Sequence, residues 1–181
     1  MKISYNWLKQ YLDIPVDAQA LKEVLTSIGL EVEGVETYES VAGGLRGLYV
    51  GHVLEAGPHP QADKLTVTRV DLGGGTQANI VCGAPNVAAG QKVAVAPVGS
   101  TLYGGKEPLK MKKMKLRGVP SEGMICAEDE LGIGNDHEGI LVLDENAQPG
   151  QPLSEVIPVE TDTVFEIDLT PNRADSTSHW G

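Results

Sequence analysis

The chain has 181 residues, a formal net charge of -11, 41% hydrophobic residues and only 4% aromatic ones. That length supports one ordinary domain or a small domain with a companion, and the scarcity of rings predicts a core of Val, Leu, Ile and Ala and excludes a binding surface dominated by stacking. No apolar run approaches the roughly 18 to 20 residues that cross a bilayer, and the amphipathic start MKISYNWLKQYL lacks the apolar stretch and cleavage site of a secretory signal, so the sequence reads as cytosolic.

Residues 1 to 39 predict two helices and a strand. Trp7, Leu8, Tyr11 and Leu12 share a helical face after a Ser4 cap, and Pro15 ends that helix. Asp17 caps a second helix in which Leu21, Val24, Leu25 and Ile28 recur at helical spacing, with Gly29 as its stop. In LEVEGVE the apolar and acidic residues alternate, the pattern of a half-exposed strand.

Residues 40 to 149 are Gly-rich with short β-branched runs: LYVGHVLEA, KLTVTRVDL, ANIVCGA, KVAVAPV, GMICA and GILVL, with one short helix near EDELGI. Turn signals at this spacing predict a small barrel. Cys82 and Cys126 form no CxxC pair and read as free thiols in a reducing compartment. Residues 150 to 181 add a strand, TVFEIDL, and then TPNRADSTSHWG, where Asn172 and Arg173 are expected to brace a junction and Asp175 to cap a following helix. The chain stops there without a helix stop or polar tail, which predicts a piece of a longer protein. Its first and last parts are then expected to pack together around the inserted barrel, neither being long enough for a core alone.

The segment KMKKMKLRGVPSEGM, residues 110 to 124, runs against the acidic balance of the chain. Between Lys106 and Arg117 six cations face one carboxylate, Glu107. Such asymmetry fits one face that meets a polyanion while the remainder keeps the protein soluble. Lysines at hairpin edges also prevent sheet-to-sheet association, and charge alone does not separate the two readings. Because only Tyr49 and Tyr103 are aromatic between residues 40 and 149, a folded RNA read through phosphates, 2'-hydroxyls and shape suits this surface better than a stacked single strand.

Other patterns lead nowhere chemically. In GAPNVAAGQKV the glycine spacing is not that of a phosphate-binding P-loop, and Lys92 is not followed by Ser or Thr. His52, His59, Cys82 and Cys126 lack zinc-ligand spacing. Asp63 is expected to bond nearby backbone N–H groups in a turn, and Met124 to fill core. His59 and Ser121 each carry two readings, contact with ribose or phosphate and support of their own turn, and Asn86 carries the same two.

GPHPQADKL (57 to 65), IVCGAPNV (80 to 87) and GVPSEGMICAEDEL (118 to 131), in that order, resemble the tRNA-binding OB-fold domain of several tRNA-binding factors and synthetase appendages. With MKISYNWLKQYLD before it and TPNRADSTSHWG after it, the whole chain resembles the start of the bacterial-type phenylalanyl-tRNA synthetase β chain. Relatives commonly read Cys-Leu where this chain has Ser176 and Thr177, and nothing chemical is inferred from those two positions.

The resemblance implies an α+β, mostly β fold: a five-stranded OB-fold barrel over residues 40 to 149, inserted into a small α+β domain formed by residues 1 to 39 with 150 to 181. It implies that amino-acid activation with ATP and Mg2+ belongs to the α subunit of a heterotetramer of two α and two β chains, and that this stretch, with no cofactor of its own, binds tRNA-Phe rather than catalysing. Lys64, Lys110, Lys112, Lys113, Lys115 and Arg117 are the expected phosphate contacts, with His59, Ser121 and Asn86 as further candidates. Two other readings remain: a protein-interaction module that seats the α subunit, and a free-standing tRNA chaperone.

Overall fold

The computed structural model describes residues 1–173 and residue 176. In chain order the elements are β1 (Lys2–Ser4), α1 (Tyr5–Leu8), α2 (Ala18–Ser27), β2 (Glu31–Glu39), a 3-10 turn (Ala42–Leu45), β3 (Tyr49–His59), β4 (Ala62–Asp71), β5 (Gln77–Cys82) and β6 (Lys92–Pro97). They continue with β7 (Thr101–Leu102), β8 (Leu109–Lys110), β9 (Met114–Leu116), β10 (Val119–Ser121), β11 (Gly123–Ile125), α3 (Glu128–Leu131), α4 (Leu153–Val156) and β12 (Thr161–Asp168). The fold is mostly β, with few helices and antiparallel pairing throughout. Among the described residues no helix is long and apolar enough to cross a membrane.

The chain divides into two compact units, Met1–Ser40 with the residues from Glu160 onward, and Val41–Val159. The sequence reading drew its second boundary at 149. Residues 150 to 159 instead lie in the larger unit, because Gln151 O accepts the Val50 N–H (2.9 Å) and Leu153 N–H donates to Leu48 O (2.9 Å).

In the smaller unit β12 lies between β1 and β2 in a three-stranded sheet. Alternation puts Phe165 and Ile167 on one face of β12, fully buried with Ile3, Leu21 and Val32. Ser4 caps α1 by accepting the Trp7 N–H (2.9 Å), and Asp17 caps α2 by accepting the Ala20 N–H (2.8 Å). The first helix is shorter than its apolar pattern predicted: it ends at Leu8 and leaves Tyr11 and Leu12 exposed. Lys2–Ser4, where the sequence reading placed only the Ser4 cap, is a strand on β12, since a three-residue edge strand carries no readable period. On α2 only Leu21 is buried, and Val24 and Ile28 face solvent.

The larger unit is built on a five-stranded sheet in the order β11-β6-β3-β4-β5. Its edges meet where Glu122 N–H, between β10 and β11, donates to Asn79 O on β5 (2.8 Å). Both faces of β6 are covered: Val93 and Val95 pack with Val53, Val70 and Ile80, while Ala94 and Ala96 pack with Leu48, Val50, Leu153 and Cys126. GILVL, expected as a strand, is not one; Leu141 and Leu143 each donate one backbone bond, to Cys126 O and Lys92 O, and a single bridge joins Val142 to Val93. Burial pushes the thiol of Cys82 above its usual range and that of Cys126 further still, so both stay protonated and are poor nucleophiles or ligands.

Candidate nucleic-acid interface

The basic segment forms a narrow, exposed edge of the larger unit. Lys110 ends β8, which pairs with β7 at Thr101. Lys112 and Lys113 bridge β8 and β9, Lys115 sits in β9 opposite Pro120 of β10, and Arg117 occupies the hairpin turn. All of these side chains, and Lys64 near the start of β4, belong to exposed residues.

The β9–β10 turn consists of Arg117 and Gly118 alone, with φ of 45° and 89°. Two left-handed residues give a turn whose twist matches a hairpin, and Asn-Gly is the usual occupant. Placing Arg in the first position accepts backbone strain to hold a guanidinium at the tip.

That tip is docked onto the turn between β3 and β4. The His59 ring, 5% exposed, accepts the Gln61 N–H at Nδ1 (3.1 Å) and donates from Nε2 to Leu116 O (3.0 Å). Arg117 Nη1 reaches Gln61 O (3.5 Å). The two hairpin ends that carry Lys64 and Arg117 are therefore brought together, although 53 positions of chain separate those residues.

Among the described residues only one of these six cations is ion-paired: Lys113 Nζ lies 2.6 Å from Glu122 Oε1. Lys113, together with the Asn79 N–H, holds the Glu122 carboxyl below its usual range. Sequence reasoning passed over Glu122. The available signal was that Glu122 is the one carboxylate in the basic stretch KMKKMKLRGVPSEGM.

The other three candidates have their polar atoms committed to the fold. Ser121, 1% exposed, accepts the Val81 N–H (3.1 Å) and donates to Gly123 O (3.0 Å). Asn86 spans to Ile140 twice, accepting its N–H (2.9 Å) and donating to its carbonyl (3.0 Å). With His59 already described, all three brace the fold through bonds to distant backbone. Removing the hydroxyl in Ser121→Ala strands the buried Val81 N–H and is expected to cost about 1–3 kcal/mol, read from the urea midpoint.

Met124 is half-buried against core, as its sequence context implied. Asp63 differs from expectation: it lies exposed on β4, and its carboxylate makes no hydrogen bond among the described residues. Arg173 donates to Ile28 O (3.2 Å), bracing the smaller unit, while Asp175 lies outside the described residues. Tyr103 is 44% exposed, its ring resting on Gly43, where an added Cβ would stand 2.2 Å from Cδ2.

A second charged site lies on the acidic helix α3. His137 Nδ1 is 2.8 Å from Asp129 Oδ2, and the carboxylate raises the imidazole above its usual 6.5. A raised value stabilises the fold below the ordinary imidazole range, and that contribution disappears as pH rises through the folded value. NMR titration is expected to show His137 titrating above 6.5 and falling back in Asp129→Asn. Among the described residues no group of three His, Cys, Asp or Glu side chains converges as a metal site.

Residues 48–152 match the family described as "Putative tRNA binding domain". Over all 181 residues the chain is 54% identical to the phenylalanine--tRNA ligase beta subunit of Porphyromonas gingivalis. It is 47% identical over 192 aligned positions to the protein of the same name from Salinibacter ruber. The chain spans only 22% and 23% of the length of these relatives. Among solved structures, the MetRS related protein from Pyrococcus horikoshii aligns with a TM-score of 0.41 and 22% identity, covering 57% of this chain and 85% of that one.

Proposed function

Because this chain belongs to the putative tRNA-binding domain family through residues 48–152, we propose that it is the tRNA-binding and assembly part of a phenylalanine–tRNA ligase β subunit. Lys64, Lys110, Lys112, Lys113, Lys115 and Arg117 contact phosphates of tRNA-Phe, and His59, Ser121 and Asn86 hold the turns that present them. The parent enzyme, two α and two β chains in the cytoplasm, joins phenylalanine to tRNA with ATP and Mg2+, and this part binds without catalysing.

One observation carries the reading. A chain of net charge -11 exposes six cations along the docked β3–β4 and β9–β10 hairpins and the stretch that leads from β8 into β9, and five of them have no carboxylate partner among the described residues. Isolated lysines that only protect a sheet edge do not require an arginine held in a left-handed turn. Phosphate contact explains both features.

Counterion release sets the test. If about three to five phosphates are neutralised, log affinity should fall against log salt with a slope of roughly -3 to -4.5. Titrating tRNA at several salt concentrations measures it, and a flat response rules the mechanism out.

A second reading has its own support. Val98, Leu109 and Met114, 48%, 54% and 50% exposed, lie among the lysines, and apolar side chains flanked by charge also suit a protein partner such as the α subunit. Retained α-subunit binding with no tRNA affinity favours that role.

A further inference from the structure

Of the six cations on the lysine edge, Lys113 alone is held by a carboxylate among the described residues. The hairpin register puts it there. Ser121 of β10 pairs with Met114 of β9, so one step beyond the ladder Glu122 stands across from Lys113. The Asn79 N–H donates to the other oxygen of the same carboxylate, Oε2 (3.4 Å).

The two partners differ in how firmly they are placed. Glu122 sits on a fixed backbone: its own N–H donates to Asn79 O (2.8 Å), and Ser121 before it is tied to Val81 and Gly123. Gly123 after it lies so close to β6 that an added Cβ would stand 2.7 Å from Ala96 O. Lys113 lies between β8 and β9, outside any strand, with 62% of its side chain exposed. The carboxylate is the fixed member and the ammonium the movable one. Nor does the hairpin depend on the pair for its position, because it is already docked through His59 to Leu116 and through Ser121 to Val81, and a solvent-exposed ion pair adds little stability.

We propose that Glu122 is a built-in competitor for RNA: its carboxylate takes the place of a phosphate on Lys113, and holds tRNA affinity below what the six cations would give together. This rests on the phosphate-contact reading above. A carboxylate offers an ammonium two anionic oxygens, as a phosphodiester does. Fixed among the lysines, it also repels a phosphate that approaches them. One residue thus opposes RNA twice, by occupying a cation and by its own charge.

Glu122→Gln keeps the length of the side chain and removes its charge. When the full 181-residue chain is titrated with tRNA-Phe, this variant is expected to bind about three- to eight-fold more tightly at roughly 0.1 M salt, with a log-log salt slope steeper by up to about 0.9, the share of one phosphate contact. Glu145→Gln removes an exposed carboxylate that bonds none of the six cations among the described residues, and as a control for net charge it should shift affinity by less than about two-fold. Lys113→Gln should cost about two-fold or less in the unaltered chain and about five-fold or more in the Glu122→Gln background. An ion pair that only ordered the segment would instead make both single variants bind more weakly. Should Glu122→Gln fail to fold, Lys113→Gln against Lys112→Gln and Lys115→Gln decides the matter, with losses of about two-fold expected for the first and about five-fold for each of the others. Equal losses at the three lysines, or a Glu122→Gln variant no different from the Glu145→Gln control, overturns the proposal. If the unaltered chain keeps its slope of roughly -3 to -4.5 while Glu122→Gln changes nothing, only this inference fails; a flat slope removes the phosphate reading and this inference with it.

Discussion

Reversing Lys112, Lys113 and Lys115 to Glu together is expected to weaken tRNA binding by about two to three decades at roughly 0.1 M salt. Each phosphate contact contributes about 0.9 to the salt slope of a duplex, so removing three flattens it by nearly 3. Lines that meet near 1 M salt, where the electrostatic term has largely vanished, then differ by that many decades one log unit lower. Lys113 should contribute least, because it must leave Glu122 before it can meet a phosphate. Parallel assays of tRNA and α-subunit binding separate the two functional readings: loss of tRNA alone supports phosphate contact, and loss of the α subunit alone supports the protein-interaction role. A triple variant that binds tRNA normally removes the lysine segment from the interface.

The largest stability effect should come from Phe165→Ala, at about 3–5 kcal/mol. Phe165 is fully buried on the central strand of its sheet, and its ring meets Tyr5 edge-on at 6.1 Å. Among the described residues the core around it has four other buried hydrophobic side chains, Ile3, Leu21, Val32 and Ile167, so the ring supplies a large part of its apolar volume. A loss of that size rivals the whole stability of a small domain, about 5 kcal/mol at the low end. Urea unfolding followed by tryptophan emission measures it, with Phe165→Leu expected to retain most of the native midpoint. A Phe165→Ala midpoint indistinguishable from the parent contradicts the packing described here.

Much of the local structure was legible residue by residue. Asp17 and Ser4 cap the helices they precede, and β4 and β12 lie where apolar residues alternate. Where the signal was short or ambiguous it misled. GILVL has the composition of a strand, yet its neighbours leave it no continuous partner ladder, and Trp7 with Tyr11 mimics a helix across what is a turn. Local pattern reports what a segment can form, while pairing depends on what lies beside it.

The candidate site divides along the same line. Charge was visible at once: the lysine run, its conflict with an acidic chain, and the shortage of rings that points to phosphates are properties of composition. Sequence alone left His59, Ser121 and Asn86 undecided between ligand and framework. Only the tertiary structure shows the framework role, through bonds from His59 to Leu116, Ser121 to Val81 and Asn86 to Ile140 that span 57, 40 and 54 positions. A side chain's charge is carried by its own atoms, but whether its polar groups are free depends on partners that folding brings near.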